Sequence, residues 1–321
     1  MRGVGLVACI VGLFAAGSVV GQPSYELTED GFVPLDVPEP GTPEAELAEA
    51  RRMIAEERPK EALKLLERWF RDHPNHPLTV EAHLLNGDAH AAGGDYYKAL
   101  FDYEDVITFY PASEQFQTAL RREYEIGVLY TSGFKRRLLG LRILPARDDG
   151  AELLIRVQER APGSDLGERA SLALADHYFE TRQLELASDA YDLYLLNYPE
   201  SDQRQWAMLR LIQASLARFK GPEFDGTGLI DARERLEQYR DRFPASAQRI
   251  GADALLVRIR ESLARRDHAT AAWYDRTRKR VAAGLLYRRL IEEYPDTSAA
   301  RDAVRRLDEL GLEPVVARQA D

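Results

Sequence analysis

The sequence predicts an all-α fold, a solenoid of about five to six stacked helix pairs closed by a C-terminal capping helix. Three observations predict it. Six prolines end helix-like segments: Pro74, Pro111, Pro162, Pro199, Pro244 and Pro295. Twelve residues before each stands a small residue, namely Ala62, Ala99, Gly150, Ala187, Ala232 and Ala283. Eight and five residues before come large, mostly apolar ones, Leu66, Tyr103, Leu154, Tyr191, Leu236 and Tyr287, then Trp69, Val106, Val157, Tyr194, Tyr239 and Leu290. Positions three and four apart share a helix face, and proline cannot continue a helix and pushes the residue before it out of the α region. The small residue lets two helices approach, and the large one a turn later fills the groove beside that contact. No single pair buries its stripe alone, so the pairs must stack into a superhelix.

Composition sets limits on function. The 321 residues carry 43 basic and 53 acidic side chains, a net charge of −10. A general nucleic-acid binder would need a basic footprint, which this balance lacks. The single cysteine, Cys9, leaves no disulfide framework and no cysteine-ligated zinc site for the folded part.

Met1-Arg2-Gly3 is a short basic start and Val4 to Val20 an uncharged, small and apolar run. Val19-Val20-Gly21 suits cleavage before Gln22, so residues 1–21 are expected to be a secretory signal peptide. Two alternatives stay open, an uncleaved anchor and lipidation at Cys9, where Leu6-Val7-Ala8-Cys9 resembles a lipobox without its usual preceding segment. Residues 22–44 hold five prolines among acidic residues and predict an extended tether. Residues 45–312 are expected to form the repeat domain and 313–321 a short tail.

Within that domain the first pair spans Pro43 to Glu56 and Pro59 to Asp72, each opened by proline. Leu78 to Ala92 follows and is broken by Gly93-Gly94; Asp95 then caps the helix that runs to Tyr110. Ser113 to Tyr130 and Ala151 to Arg160 flank an insert, Phe134 to Arg147, read as a basic and apolar loop whose Leu138, Leu139, Leu141 and Leu144 plug the scaffold or, alternatively, dock on a partner or lipid. Leu166 to Glu180 pairs with Leu184 to Asn197. Gln203 to Phe219 pairs with Ile230 to Arg242 across the glycine-rich loop Lys220 to Gly228. That loop lacks the residue order of a phosphate cradle. Ala247 to Arg265, Asp267 to Thr277 and Val281 to Glu293 complete the array, and Ser298 to Leu310 caps it.

Catalytic chemistry finds little support. His73, His76, His83 and His90 cluster within 18 residues, but in no metal-ligand motif. No nucleophile elbow is present, and no cofactor is expected. The tyrosines sit at core spacing. The surface signal is a basic cluster, Arg265, Arg266, Arg276, Arg278, Lys279, Arg280, Arg288 and Arg289. It reads as a patch for an acidic partner or as solvated faces paired with Glu261, Glu292 and Glu293.

The repeat spacing resembles the tetratricopeptide repeat (TPR): Gly87, Ala99, Tyr103 and Pro111 match one copy, and Tyr274, Ala283, Tyr287 and Pro295 another. The proline gaps of 37, 51, 37, 45 and 51 residues exceed that family's period, so inserts must interrupt the array. The whole resembles the outer-membrane protein assembly lipoprotein family BamD (YfiO). The closest part runs through Leu263-Ala264, Ala272-Trp273-Tyr274, Arg276, Ala282-Ala283, Tyr287 and Glu293-Tyr294-Pro295 to Ser298, with Phe243-Pro244 and Ser246 suiting the repeat before. The resemblance implies a non-enzymatic periplasmic or outer-membrane-associated scaffold. Its partners would be a barrel-assembly protein, docked at Trp273, Tyr274, Arg276, Arg278, Lys279 and Arg280, and unfolded outer-membrane proteins held by the N-terminal repeats. Two other functions stay in view, a cell-division adaptor of the YbgF type and a small-ligand or metal-binding protein.

Overall fold

Residues 25–28, 31–34, 38–138 and 141–313 are described in the computed structural model. The expected signal peptide, Cys9 and residues 314–321 lie outside them. The chain divides into two compact units, 1–93 and 94–321.

In the first unit, β1 (Tyr25–Thr28) pairs antiparallel with β2 (Gly31–Pro34), Tyr25 opposite Pro34 and Leu27 opposite Phe32. The sequence suggested a plain tether here. Tyr25, Leu27, Phe32 and Val33 are β-forming, and Pro34 ends β2, where a missing N–H costs no ladder bond. Then come α1 (Pro43–Ala55), α2 (Pro59–Asp72) and α3 (Thr79–Ala92), which close on a core of Leu47, Ala50, Ala62, Leu66, Trp69, Ala82 and Ala89. Thr42 caps α1 by accepting from the Ala45 N–H.

The second unit is a helix-pair solenoid. Its helices are α4 (Tyr96–Phe109), α5 (Gln115–Thr131), α6 (Arg147–Arg160), α7 (Asp165–Glu180), α8 (Leu184–Asn197), α9 (Arg204–Arg218), α10 (Thr227–Arg242), α11 (Pro244–Ile250), α12 (Ala252–Arg276), α13 (Arg280–Glu293) and α14 (Ser298–Glu309). Each helix from α4 to α14 packs on its successor, and first helices of neighbouring pairs also touch, α5 on α7, α7 on α9 and α12 on α14. The only strands described in this unit are β3 (Lys135–Leu138) and β4 (Leu141–Pro145), an antiparallel hairpin where the sequence suggested an irregular loop. The side chains of residues 137–143 lie outside the described set, and with them the expected plug by Leu138, Leu139 and Leu141; Leu144 is half-buried.

The repeat geometry is the same at every copy. All eighteen residues at the three spacings before the prolines are buried. The residue before each proline adopts nearly one conformation: His73, Tyr110, Ala161, Tyr198, Phe243 and Tyr294 have φ between −125° and −132° and ψ between 50° and 65°. Proline's ring excludes the α region there, so the helix ends by local sterics. The turns inside pairs share a second feature. Five residues before the small position the backbone turns left-handed, at Glu57, Gly94, Arg182 and Arg278.

Gly150 shows why the small position is small. A Cβ there would stand 2.7 Å from the Thr131 nitrogen and 2.8 Å from the Gly127 oxygen, both backbone atoms of α5 that cannot yield. Gly150→Ala is therefore expected to destabilise by about 1–3 kcal/mol through overpacking. Helix propensity alone would stabilise it by about 1 kcal/mol. Urea denaturation reads the sign directly.

Two helices also differ from the sequence reading. The break expected near Arg266 is absent, and α12 runs unbroken for 25 residues. No glycine or proline interrupts it, and Ile259, Leu263, Ala264 and Ala271 keep one buried stripe across the expected gap. The break falls instead at Gly251, at φ +67°, between α11 and α12. α6 also begins earlier than expected, at Arg147, with Asp148 and Asp149 favouring its first turn.

One polar cluster ties three helices. Glu123 of α5 is fully buried. Arg160 of α6 donates to it at 2.9 Å and to Glu104 of α4 at 2.5 Å. Arg156 stands 3.7 Å from Glu104. Burial pushes Glu123 up to about 7. Glu104 has the opposite direction: its own burial raises it, but hydrogen bonds and charge from Arg160 prevail and hold it below the usual carboxylate range.

Candidate partner-binding groove

The basic cluster falls on the last full helix pair, α12 and α13, and on the turn between them. The α12–α13 turn, Thr277 to Lys279, follows the pattern of the other pairs, with Arg278 left-handed at φ +61°. Glu57 and Arg182 do the same elsewhere, so this backbone belongs to the repeat and marks no special site. The end of α12 is different. Trp273 is 48% exposed and meets Tyr274 edge-on at 4.9 Å. Lys279 folds back so that Nζ lies 5.5 Å from the Trp273 ring and 5.6 Å from the Tyr274 ring. Such cation–π contacts hold an ammonium on an aromatic face without neutralising it.

The loop from Phe219 to Gly226 rises beside α12. Pro222, Phe224 and Gly226 face Arg266, Thr270 and Trp273 across a groove of 590 Å³. Phe224, 57% exposed, supplies a second open aromatic. The loop is anchored at its end, where Asp225 accepts from the Thr227 N–H and hydroxyl, and those bonds hold its carboxyl below the usual range. Arg266 lies close over Gly226: a Cβ there would stand 2.2 Å from its Nη1, so the guanidinium would have to shift. On the other flank of the loop, Lys220, Arg265, His268 and Asp302 line a second groove of 520 Å³. His268 packs on Tyr287 at 5.5 Å, and burial lowers its basicity.

The basic residues divide. Arg265 pairs with Glu261 at 3.3 Å, Arg266 with Asp267 at 2.9 Å and Arg289 with Glu293 at 3.6 Å. Arg288 donates to the Glu313 carbonyl. Arg276, Arg278 and Arg280 are exposed and form no ion pair among the described residues. Thus Trp273, Tyr274, Arg276, Arg278, Lys279 and Arg280 stand together at one end of a helix pair. The other residues singled out from the sequence, Ala62, Ala99, Tyr103, Ala187, Tyr191, Ala232, Ala283 and Tyr287, are in the packed interior. Phe224 was not singled out. Its signal was an aromatic between glycines in a loop weighed only as a phosphate cradle.

This arrangement is suited to recognition. Open aromatic faces and unpaired guanidinium groups are hot-spot residue types for a protein partner. The histidines of the first unit pack on aromatics, His73 5.3 Å from Trp69 and His83 4.8 Å from Phe70. Among the described residues no group of three or more His, Cys, Asp or Glu is placed to hold a metal ion, and no helix is long and apolar enough to cross a membrane.

The family model for YfiO, described as an outer membrane lipoprotein, matches residues 148–315, a little over half of the chain. The chain belongs to the YfiO family. The match begins in α6 and takes in both the loop and the α12–α13 turn, so the groove lies in the part that carries the YfiO pattern. Among solved structures, the C-terminal part of a TPR repeat-containing protein from Cytophaga hutchinsonii is similar at 13% identity and a TM-score of 0.39, over 83% of this chain and 89% of that one. TPR-like repeats of a Podospora anserina putative kinesin light chain are similar at 20% identity and a TM-score of 0.34, over 64% and 96%. No curated protein matches.

Proposed function

We propose that this protein is a non-enzymatic scaffold of the bacterial envelope that works, like BamD, in assembly of outer-membrane β-barrel proteins. Residues 1–21 export it, 22–44 tether it, 45–312 form the interaction domain and 313–321 a tail. It resides in the periplasm, associated with the outer membrane. The single observation that carries this reading is the tip of the last helix pair, where exposed Trp273, Lys279 on its face and unpaired Arg276, Arg278 and Arg280 meet in the YfiO-matching region. A barrel-assembly protein docks there through an acidic and apolar surface, and unfolded outer-membrane proteins are its second class of partner. Electrostatic complementarity sets the approach, and the aromatics supply the anchor.

A photo-cross-linker placed at Trp273 or Phe224 in living cells is expected to capture a β-barrel-bearing envelope protein. The same probe at exposed Leu186 on α8 should not. Arg276→Glu combined with Arg278→Glu should abolish capture without changing the melting temperature. Recovery of no barrel-bearing protein from either groove position overturns the proposal.

A further inference from the structure

The start of α4, the end of α5 and the β3–β4 hairpin line a cavity of 420 Å³, far in sequence from the groove described above. Its walls are aromatic. Phe134 stacks on Tyr130 with centroids 6.0 Å apart and planes 13° apart, and meets Tyr96 edge-on at 5.2 Å. The Arg136 guanidinium lies 5.1 Å from the Tyr97 centroid.

Three polar atoms at this wall lack a hydrogen-bond partner, and they are of both kinds. Tyr130 is 1% exposed, and its buried hydroxyl forms no hydrogen bond. Burial pushes that phenol up to about 12, so it keeps its proton and can donate. Arg136 Nε, a donor, is buried and unpartnered. Asp149 Oδ2, an acceptor, is buried and accepts no hydrogen bond, although it stands 3.0 Å from Arg136 Nη2. Buried polar atoms are nearly always bonded, so three together require an explanation. One bridging water fills about 30 Å³ and would leave the aromatic faces and most of the cavity without an occupant.

The charges here are already matched, Arg136 by Asp149 and Lys98 by Asp95 at 3.2 Å. An anion would meet both aspartates and bring Asp149 no donor. A simple cation would meet Arg136 and Lys98 and bring Arg136 Nε no acceptor. A neutral group with an acceptor beside a donor answers all three atoms. Nε and Nη2 share one edge of the planar guanidinium, so an acceptor placed at Nε has Asp149 as its neighbour. A primary carboxamide has that form: its carbonyl oxygen can accept from two donors, and the nitrogen next to it donates. The aromatic walls suit a flat apolar body behind such a group.

We propose that this cavity binds a small neutral aromatic carboxamide, its carbonyl oxygen accepting from Arg136 Nε and the Tyr130 hydroxyl, its N–H donating to Asp149, and its ring laid against the aromatic walls. The assignment is separate from the docking function and uses none of its residues.

Calorimetric titration of the full-length protein with benzamide, acetophenone and benzoate tests it. Acetophenone keeps the acceptor and lacks the donor; benzoate puts a charged acceptor where the donor should be. Benzamide should bind at one saturable site, with each analogue weaker by about tenfold or more, the effect of losing one hydrogen bond to a charged group. Tyr130→Phe should weaken benzamide by about tenfold and leave the melting temperature unchanged or raised, because it removes a buried unpartnered hydroxyl. Arg136→Gln, on the hairpin, should give a similar loss and stands in should Tyr130→Phe not fold. No binding of benzamide at millimolar concentration, which would leave the three atoms to water alone, overturns the proposal. So does equal binding of either analogue, or unchanged affinity in a folded variant.

Discussion

Arg160→Met is expected to cost about 3–5 kcal/mol at pH 8, the loss typical when a buried charge keeps its place and loses its partner. Arg160 joins α4, α5 and α6 by direct hydrogen bonds to Glu104 and the fully buried Glu123. Its removal strands a carboxylate where water cannot reach it. The pH dependence distinguishes this from a packing defect. Glu123 has its folded-state pKa raised to about 7 by burial, above its unfolded value. A raised group contributes stability that is complete below the unfolded pKa and is lost as pH rises through the folded one. The Glu123 contribution is thus present near pH 4 and gone above pH 7. Glu104, held low chiefly by Arg160 against its own burial, runs the other way and loses its contribution as pH falls below the ordinary carboxylate range. The two carboxylates titrate as a pair. Hence the Arg160→Met penalty should shrink at pH 5, where Glu123 carries a proton. Glu123→Gln, a mimic of that protonated form, should gain on the wild type by about 2–3 kcal/mol between pH 5 and pH 8. Urea denaturation at both pH values measures each gap. A penalty for Arg160→Met that is equal at both would show that the cluster acts by packing alone.

Trp69→Ala is expected to cost about 3–5 kcal/mol, as for other large core aromatics. Trp69 is fully buried at the centre of the first unit. Its indole N–H donates to the Pro43 carbonyl at 3.1 Å, which fixes the start of α1 against the end of α2. The ring also meets Phe70 edge-on at 5.8 Å and carries His73 and His76 at 5.3 and 5.7 Å. Alanine would leave a cavity in a core built by three helices and remove the tie to Pro43. Amide hydrogen exchange should show α1 to α3 losing protection while α7 to α10 keep theirs. Trp69→Phe keeps the volume better and should lose less.

Much of the fold was legible because its rules are local. A proline, a small residue one face earlier and a bulky one between them are visible in any window of about fifteen residues, and sterics then act alike in each copy. The Pro59–Asp72 and Leu184–Asn197 helices are bounded in the structure as the sequence marked them. What escaped was either weakly local or tertiary. The Tyr25–Pro34 pairing was hidden by the prolines of this stretch, of which Pro34 sits at a strand end. The unbroken α12 was misread because a run of charges, Arg265 to Asp267, looks like a loop, yet Arg266 and Asp267 pair with each other on a helix surface. A further regularity was missed outright. Two residues after the proline stands a serine or threonine in five of six copies, and Ser201 and Ser246 bond the tyrosines Tyr194 and Tyr239 at 2.6 and 2.8 Å. Where that tyrosine is replaced by Val106, Ser113 has a buried hydroxyl without a partner. The surface tip at Trp273 was legible from its charge and its family pattern. Phe224 was not, because only folding brings its loop beside α12.

The shared dihedral before the six prolines has a consequence for how the chain acquires its shape. The exit direction from each of these helices is written into two adjacent residues and is set as soon as both exist in the chain. A polypeptide threaded across a membrane from its N-terminus would need no distant segment to steer each turn. Every hairpin can form as it emerges, and contacts between near neighbours in sequence keep the search short. Replacing one such proline should therefore slow refolding of its own pair most.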